Sequence, residues 1–203
     1  MMTPPAKPTA TLPATALESV TTLDIAPFTL TLPEPWSALR PRADEWRTQV
    51  QTLAASKPAL AQVAEALLAM QPTTTTVVLA WPASTVAAIT LVAAVTPAEA
   101  VSLQTYVATA ATELQQSATA DAKVTVHSAN IRYDLHPEQL PLAILHYTMQ
   151  PNDTTAPLIT GYQAMTIDKT AAHLLLLTFT IHEPQPESAL AVVESIIATL
   201  QEK

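Results

Sequence analysis

Cysteine is absent from this chain and glycine occurs once. Each gap closes off a class of chemistry. Without cysteine there is no disulfide, no zinc–thiolate site and no cysteine nucleophile. The one glycine is Gly161. A phosphate-cradling loop needs several glycines so that backbone amides can approach the ligand. One glycine therefore writes neither a Walker-type loop nor a dinucleotide fingerprint. It cannot write a GxSxG nucleophile elbow either. Positive charge is also scarce. Lys and Arg number 9 against 17 Asp and Glu, for a formal net charge of −8. That balance argues against nucleic acid as the main partner.

Long apolar runs are missing too. Residues 66–98 carry no charge, but Pro72, Thr73 to Thr76 and Pro82 interrupt them. The longest apolar piece, Val86 to Val95, falls far short of the roughly 20 residues of a spanning helix. The expectation is a chain without a transmembrane segment. Met1 leads into Thr, Pro, Ala and Lys7 without an apolar signal region, so the default compartment is cytoplasmic. The alternative is an extracytoplasmic domain on a Pro/Thr/Ala tether.

What is present is apolar and proline-punctuated. Of 203 residues, 49% are hydrophobic and 18 are proline. That supports one sizeable core. Residues 1–20, opening MMTPPAKPTATLPATA, read as a disordered tail, and residues 21–203 as one domain. The strongest pattern is Ala172 to Ile181 (AHLLLLTFTI). Leu175, Leu177, Phe179 and Ile181 share one face, and Leu174, Leu176, Thr178 and Thr180 the other. This predicts a central strand, paired as a hairpin with Leu158 to Asp168 around a turn at Lys169 to Ala171. A helix over Glu187 to Leu200 follows, with Leu190, Val193, Ile197 and Leu200 facing the core.

Upstream, Leu23 to Ile25 and Phe28 to Leu32 read as strands, the second ended by Pro33 and Pro35. Ala43 to Met70 is helical, and Pro58 divides it into two helices capped at Ser56 or Lys57. Strands follow at Thr76 to Trp81 and Val86 to Val95. Thr96-x-x-Glu99 resembles a capping box, with Ser102 as a rival helix start; the helix runs to about Gln116. Lys123 to Tyr133 and Leu142 to Gln150 are further strands. The order ββ–αα–ββ–α–ββββ–α points to an α+β sandwich around a mostly antiparallel sheet flanked by helices.

Three segments resemble the Mog1/PsbP-like fold, in particular bacterial proteins of the DUF1795 and related lipoprotein-like groups. They are FTLTLPEPW (Phe28 to Trp36), the proline-broken helix (Ala43 to Met70) and LLLLTFT (Leu174 to Thr180) with its terminal helix. The resemblance covers residues 23–200. It implies an accessory or binding role, since members include photosystem II accessory proteins, a Ran-binding import factor and chaperones for secretion effectors. It transfers no catalytic motif. Here Pro35 stands where the family has glycine before the tryptophan, and there is no lipobox cysteine.

The residues themselves offer little chemistry. His127, His136, His146, His173 and His182 show neither HxH nor HxxxH spacing, although His127 and His146 can face each other across paired strands. No serine sits in an elbow, and Asp121, Asp134, Asp153 and Asp168 stand beside turns, where aspartate belongs for conformational reasons. No catalytic residue, metal or cofactor is expected. The one local contrast is Trp36, Arg40, Arg42, Trp46 and Arg47. Three of the 9 basic residues fall there, with two tryptophans, in a chain of two Phe, three Trp and four Tyr. Trp and Arg are enriched at binding hot spots. Trp46 turns toward the Val50 face, leaving Trp36, Arg40, Arg42 and Arg47 as the candidate partner surface. Against this, long basic side chains commonly just cover a structural Trp. The expectation is a non-catalytic domain, monomer or weak dimer, that recognises a protein or peptide. The alternatives are an adaptor shielding an apolar client segment and a small-ligand binder or enzyme without a recognisable motif.

Overall fold

The computed structural model describes residues 18–40, 46–69, 76–82, 89–116, 122–151, 158–182 and 186–203. The expected tail up to residue 17 lies outside them. The elements are β1 (Glu18–Ile25), β2 (Phe28–Leu39), α1 (Trp46–Ser56), α2 (Pro58–Ala69), β3 (Thr76–Pro82) and β4 (Ile89–Pro97). They continue with α3 (Leu103–Gln116), β5 (Ala122–Arg132), β6 (Leu142–Pro151), β7 (Ile159–Ile167), β8 (His173–His182), α4 (Pro186–Ile197) and β9 (Gln201–Glu202). The class is α+β, as the order of patterns predicts. Every strand pairing is antiparallel.

The sheet order is β1-β2-β3-β4-β8-β7-β6-β5, with β9 attached to β2. Strand β8 is internal, between β4 and β7. Its two faces feed different cores. Leu175, Leu177, Phe179 and Ile181 meet Leu91, Ala93 and Val95 of β4 under Val193, Ile196 and Ile197 of α4. On the opposite face, Leu174 joins Leu145, Tyr147 and Met165 beneath Val107 of α3. Beside that group, Leu39, Leu79 and Trp81 pack on Val50 and Leu53 of α1 and on Leu60 of α2. Helices thus cover both faces of the sheet. The uncharged stretch also finds its cause here. Val78 to Trp81, Leu91, Ala93 and Val95 are buried because β3 and β4 are interior strands.

Two boundaries differ from the sequence reading. Strand β2 does not end at Pro33 but runs through both prolines to Leu39. The register explains this. Val20 pairs with Trp36 and Thr22 with Thr31, so Thr21 alone stands opposite residues 32–35. On the other side β3 reaches only Trp36 to Leu39, and β9 only Phe28 and Thr29. The prolines sit where no ladder needs an N–H. Strand β1 likewise begins at Glu18, so residues 18–20, expected in the tail, belong to the sheet.

The helix before β5 starts at its rival signal. The Ser102 hydroxyl accepts the Thr105 N–H at 3.1 Å, whereas Thr96 and Pro97 remain in β4, paired with Leu174 and His173. Sheet pairing there wins over the capping box. The break at Pro58 is as expected, and the Lys57 carbonyl accepts the Ala61 N–H at 3.1 Å to open α2.

Gly161 has a packing reason. It pairs with Tyr147 across β6 and β7, and a Cβ at position 161 would land in the Tyr147 ring. An aromatic side chain lying over a cross-strand glycine is a known device of sheets. Gly161→Ala should cost about 1–3 kcal/mol, the usual range for overpacking. Urea denaturation checks it, and the cost should shrink in a Tyr147→Leu background.

Candidate functional site

Continuation of β2 decides the fate of Trp36. Period two from Phe28 through Leu30 and Leu32 brings Trp36 onto the α4 face, where it is fully buried. Trp36 is therefore a core residue and not part of a partner surface. Its indole N–H has no acceptor among the described residues. Arg40 is half-buried, and its guanidinium donates to the Asp24 carbonyl at 2.7 Å, tying the end of β2 to β1. Arg42 lies outside the described residues. Trp46 and Arg47 open α1, but their side chains lie outside the description. Trp36 on β2 is thus given to the core and Arg40, just past the end of β2, to the tie with β1, and the five residues are not brought together as one described surface.

A cleft of about 350 Å³ lies elsewhere, at the end of the sheet where the C-terminal segment meets β2, the β5–β6 loop and the β7–β8 turn. Phe28, Leu140, Ile167 and Leu200 line it with apolar surface. Glu138, Lys169 and Glu202 line it with charge, and Glu138 and Lys169 are exposed.

The C-terminal segment is clasped in place. The Thr199 hydroxyl sits 2.9 Å from both the N–H and the carbonyl of Thr31. The Lys203 N–H donates to the Pro27 carbonyl at 2.8 Å, and its ammonium reaches Asp24 at 2.7 Å. On the far wall, His136 is buried. Its Nε2–H donates to the Leu200 carbonyl at 2.7 Å, and its Nδ1 accepts the Glu138 N–H at 3.2 Å. Both ring nitrogens are committed to backbone, which fixes the tautomer and leaves no free general base in this imidazole.

The third wall is held by Asp168, the turn aspartate. Its carboxylate accepts the N–H groups of Ala172 and His173 at 2.8 and 3.0 Å, the Thr170 hydroxyl at 2.8 Å and His173 Nδ1 at 2.9 Å. The Lys169 N–H then donates to Glu202 at 3.0 Å, linking this turn to the clasp. Burial alone would push the Asp168 carboxyl up. The bonds from His173, Thr170 and Ala172 outweigh it and hold the group well below the ordinary carboxylate range.

Two loop residues have left-handed backbones, Gln139 at φ 54° and Ala171 at φ 55°. Gln139 stands between Glu138 and Leu140, which line the cleft, and Ala171 lies two residues past Lys169, which also lines it. Such conformations suit glycine and strain other residues.

A second polar group lies at the β5 edge, on the α4 side of the sheet. The rings of His127 and His146 approach to 5.0 Å between centroids, as cross-strand pairing suggests, and His127 Nε2 is 3.0 Å from the Thr148 hydroxyl. A bulge between Val126 and Ser128 admits His127 beside His146. Burial, and secondarily the neighbouring His127, lowers the pKa of His146. Tyr162 packs alongside, its phenol pushed up to about 12 by burial. Arg132 there is engaged by Asp134 at 2.6 Å and Glu194 at 3.1 Å. Among the described residues, no three His, Asp or Glu side chains converge as a metal site.

Sequence reasoning missed the cleft. His136 and Glu138, Lys169, and Gln201 and Glu202 come from three distant segments. The usual marker of sharp loops, glycine, is absent from all three. No protein-family model matches the chain, and no curated protein matches it.

Ala171→Gly should relieve the left-handed strain and raise stability by about 1 kcal/mol in urea titration. Asp168 has a folded pKa below its unfolded value near 3.9, so its contribution is complete above about pH 5 and is lost progressively as the pH falls below that. Asp168→Asn should therefore be less stable than wild type at pH 7 and lose less stability on going to pH 3, as read by urea midpoints at both pH values.

Proposed function

We propose that this chain is a non-catalytic binding domain that recognises a peptide segment of a protein partner in the cleft between the β5–β6 loop, the β7–β8 turn and the C-terminal clasp. The observation that carries this reading is the contrast within the cleft. Leu140 and Ile167 of its apolar lining keep part of their surface exposed, its rim charges on Glu138 and Lys169 make no ion pair among the described residues, and its imidazole is locked. Such a site offers contact and charge rather than proton transfer. The element order and the FTLTLPEPW strand support placing the domain with the Mog1/PsbP-like proteins. That resemblance implies accessory and binding roles of this kind.

The adaptor alternative draws less support. The exposed large apolar residues among those described are Val63, Val101 and Tyr133, and they lie on α2, before α3 and after β5. They make no shared element face for an apolar client. Among the described residues, no helix is long and apolar enough to cross a membrane.

The test is selection from a random heptapeptide library displayed on phage, followed by amide chemical-shift mapping on the ¹⁵N-labelled full chain. Recovered peptides should shift the amides of Glu138, Lys169, Gln201 and Glu202. If no peptide is recovered, or if the shifts centre on another surface, this reading is wrong.

A further inference from the structure

We infer that the cleft selects an extended basic peptide, with a lysine or arginine held by Glu138 and Glu202 and an apolar neighbour seated on Leu140 and Ile167, the partly exposed apolar residues of its lining. The inference rests on the peptide-binding reading above and adds the chemistry of the ligand. Two carboxylates and one ammonium line the cleft. Glu138 has no cationic partner among the described residues. Glu202 accepts the Lys169 N–H through Oε1, leaving Oε2 available.

One nearby cation is already engaged elsewhere. The Lys203 ammonium lies on Asp24 at 2.7 Å. The Lys169 ammonium forms no ion pair with either carboxylate, so the two acids remain open to an incoming cation. A ligand cation would form charge-assisted hydrogen bonds with them. The whole chain, at −8, adds an attractive background for such a ligand.

The shape of the wall fits a side chain and a stretch of backbone. His136, Pro137 and Glu138 line the cleft in succession, which a straight strand would not allow, since its residues alternate sides. Left-handed Gln139 then returns the chain so that Leu140 lines it as well. A carboxylate is thereby set directly beside apolar surface. A volume of about 350 Å³ holds one or two side chains and lies at the small end of ligand cavities. Lys169, whose N–H bonds Glu202, also lines the cleft and disfavours a second basic residue in the ligand.

The experiment uses the peptides recovered by the phage selection, made synthetically with each basic residue present or changed to Glu. Binding to the full chain is measured by calorimetry at two salt concentrations. The recovered sequences should be enriched in Lys or Arg next to an apolar residue. Changing that residue to Glu should weaken binding at least tenfold, and affinity should fall as salt rises. On the protein, Glu138→Lys should weaken binding at least tenfold, Glu138→Gln less, and Lys169→Glu should strengthen it. Thermal melts of these exposed-site variants check that each is folded. If acidic or neutral peptides bind with equal affinity and still shift the cleft amides, the charge inference falls while the peptide-binding reading stands. If no peptide shifts the cleft amides, both fall.

Discussion

The pairing of β4 with β8 is the contact on which the rest of this structure depends. It is the ladder that joins β1–β4 to β5–β8 in the strand order. It runs from Ile89 opposite Ile181 to Pro97 opposite His173. Both strands lie inside the sheet, and helices lie over both of its faces, so apolar residues are required on each side. Two later elements reinforce the seam. Helix α4 lies across it on one face, and β9 carries the chain back to β2 in the first half. The cleft forms where this return meets the end of the seam. The Asp168 turn that follows β7 supplies one wall, and the Ala172 carbonyl accepts the Ala98 N–H just past β4 at 2.9 Å.

Near-absence of glycine is the second constraint, and it acts most at the loops. Gln139 and Ala171 adopt backbones that glycine would take at no steric cost. Neither is held by local preference. Ala171 is clamped because its own N–H donates to the Asp168 carbonyl while the Asp168 carboxylate gathers the next two N–H groups. Gln139 is clamped because its N–H donates to the His136 carbonyl, whose ring in turn holds Leu200. Strained loops of this kind persist only where surrounding bonds over-determine them. Here those bonds also build the cleft, so the same network that resists glycine's absence gives the walls their fixed shape.

The regular elements were legible because period and proline report on local geometry. Alternation in Ala172 to Ile181 places Phe179 in the α4 core, and Pro58 divides the helices where it stands. The misreadings share a cause. Pro33 and Pro35 read as strand breakers, but whether a missing N–H matters depends on the partner strand, and partners are set by tertiary pairing. The Thr96 capping box lost to Ser102 for the same reason, since β8 claims Thr96 and Pro97. The cleft was not legible at all. Its charged groups come from three segments that only the fold brings together, and its left-handed turns carry no glycine to betray them.

The fate of Trp36 shows why scarcity of aromatics is a poor guide to recognition. A chain with few large side chains and many alanines has little else with which to fill the space between a twisted sheet and its helices. Its largest fully buried residues are Trp36, Trp81, Phe28 and Phe179. Each anchors a core, Trp81 under α1 and α2 and the other three under α4. The core thus takes three of the five Phe and Trp residues onto a single face of the sheet and a fourth onto the other. Local contrast in composition therefore marks where packing is hardest to achieve, and the surface left for a partner is built from the charged and aliphatic residues that the core does not need.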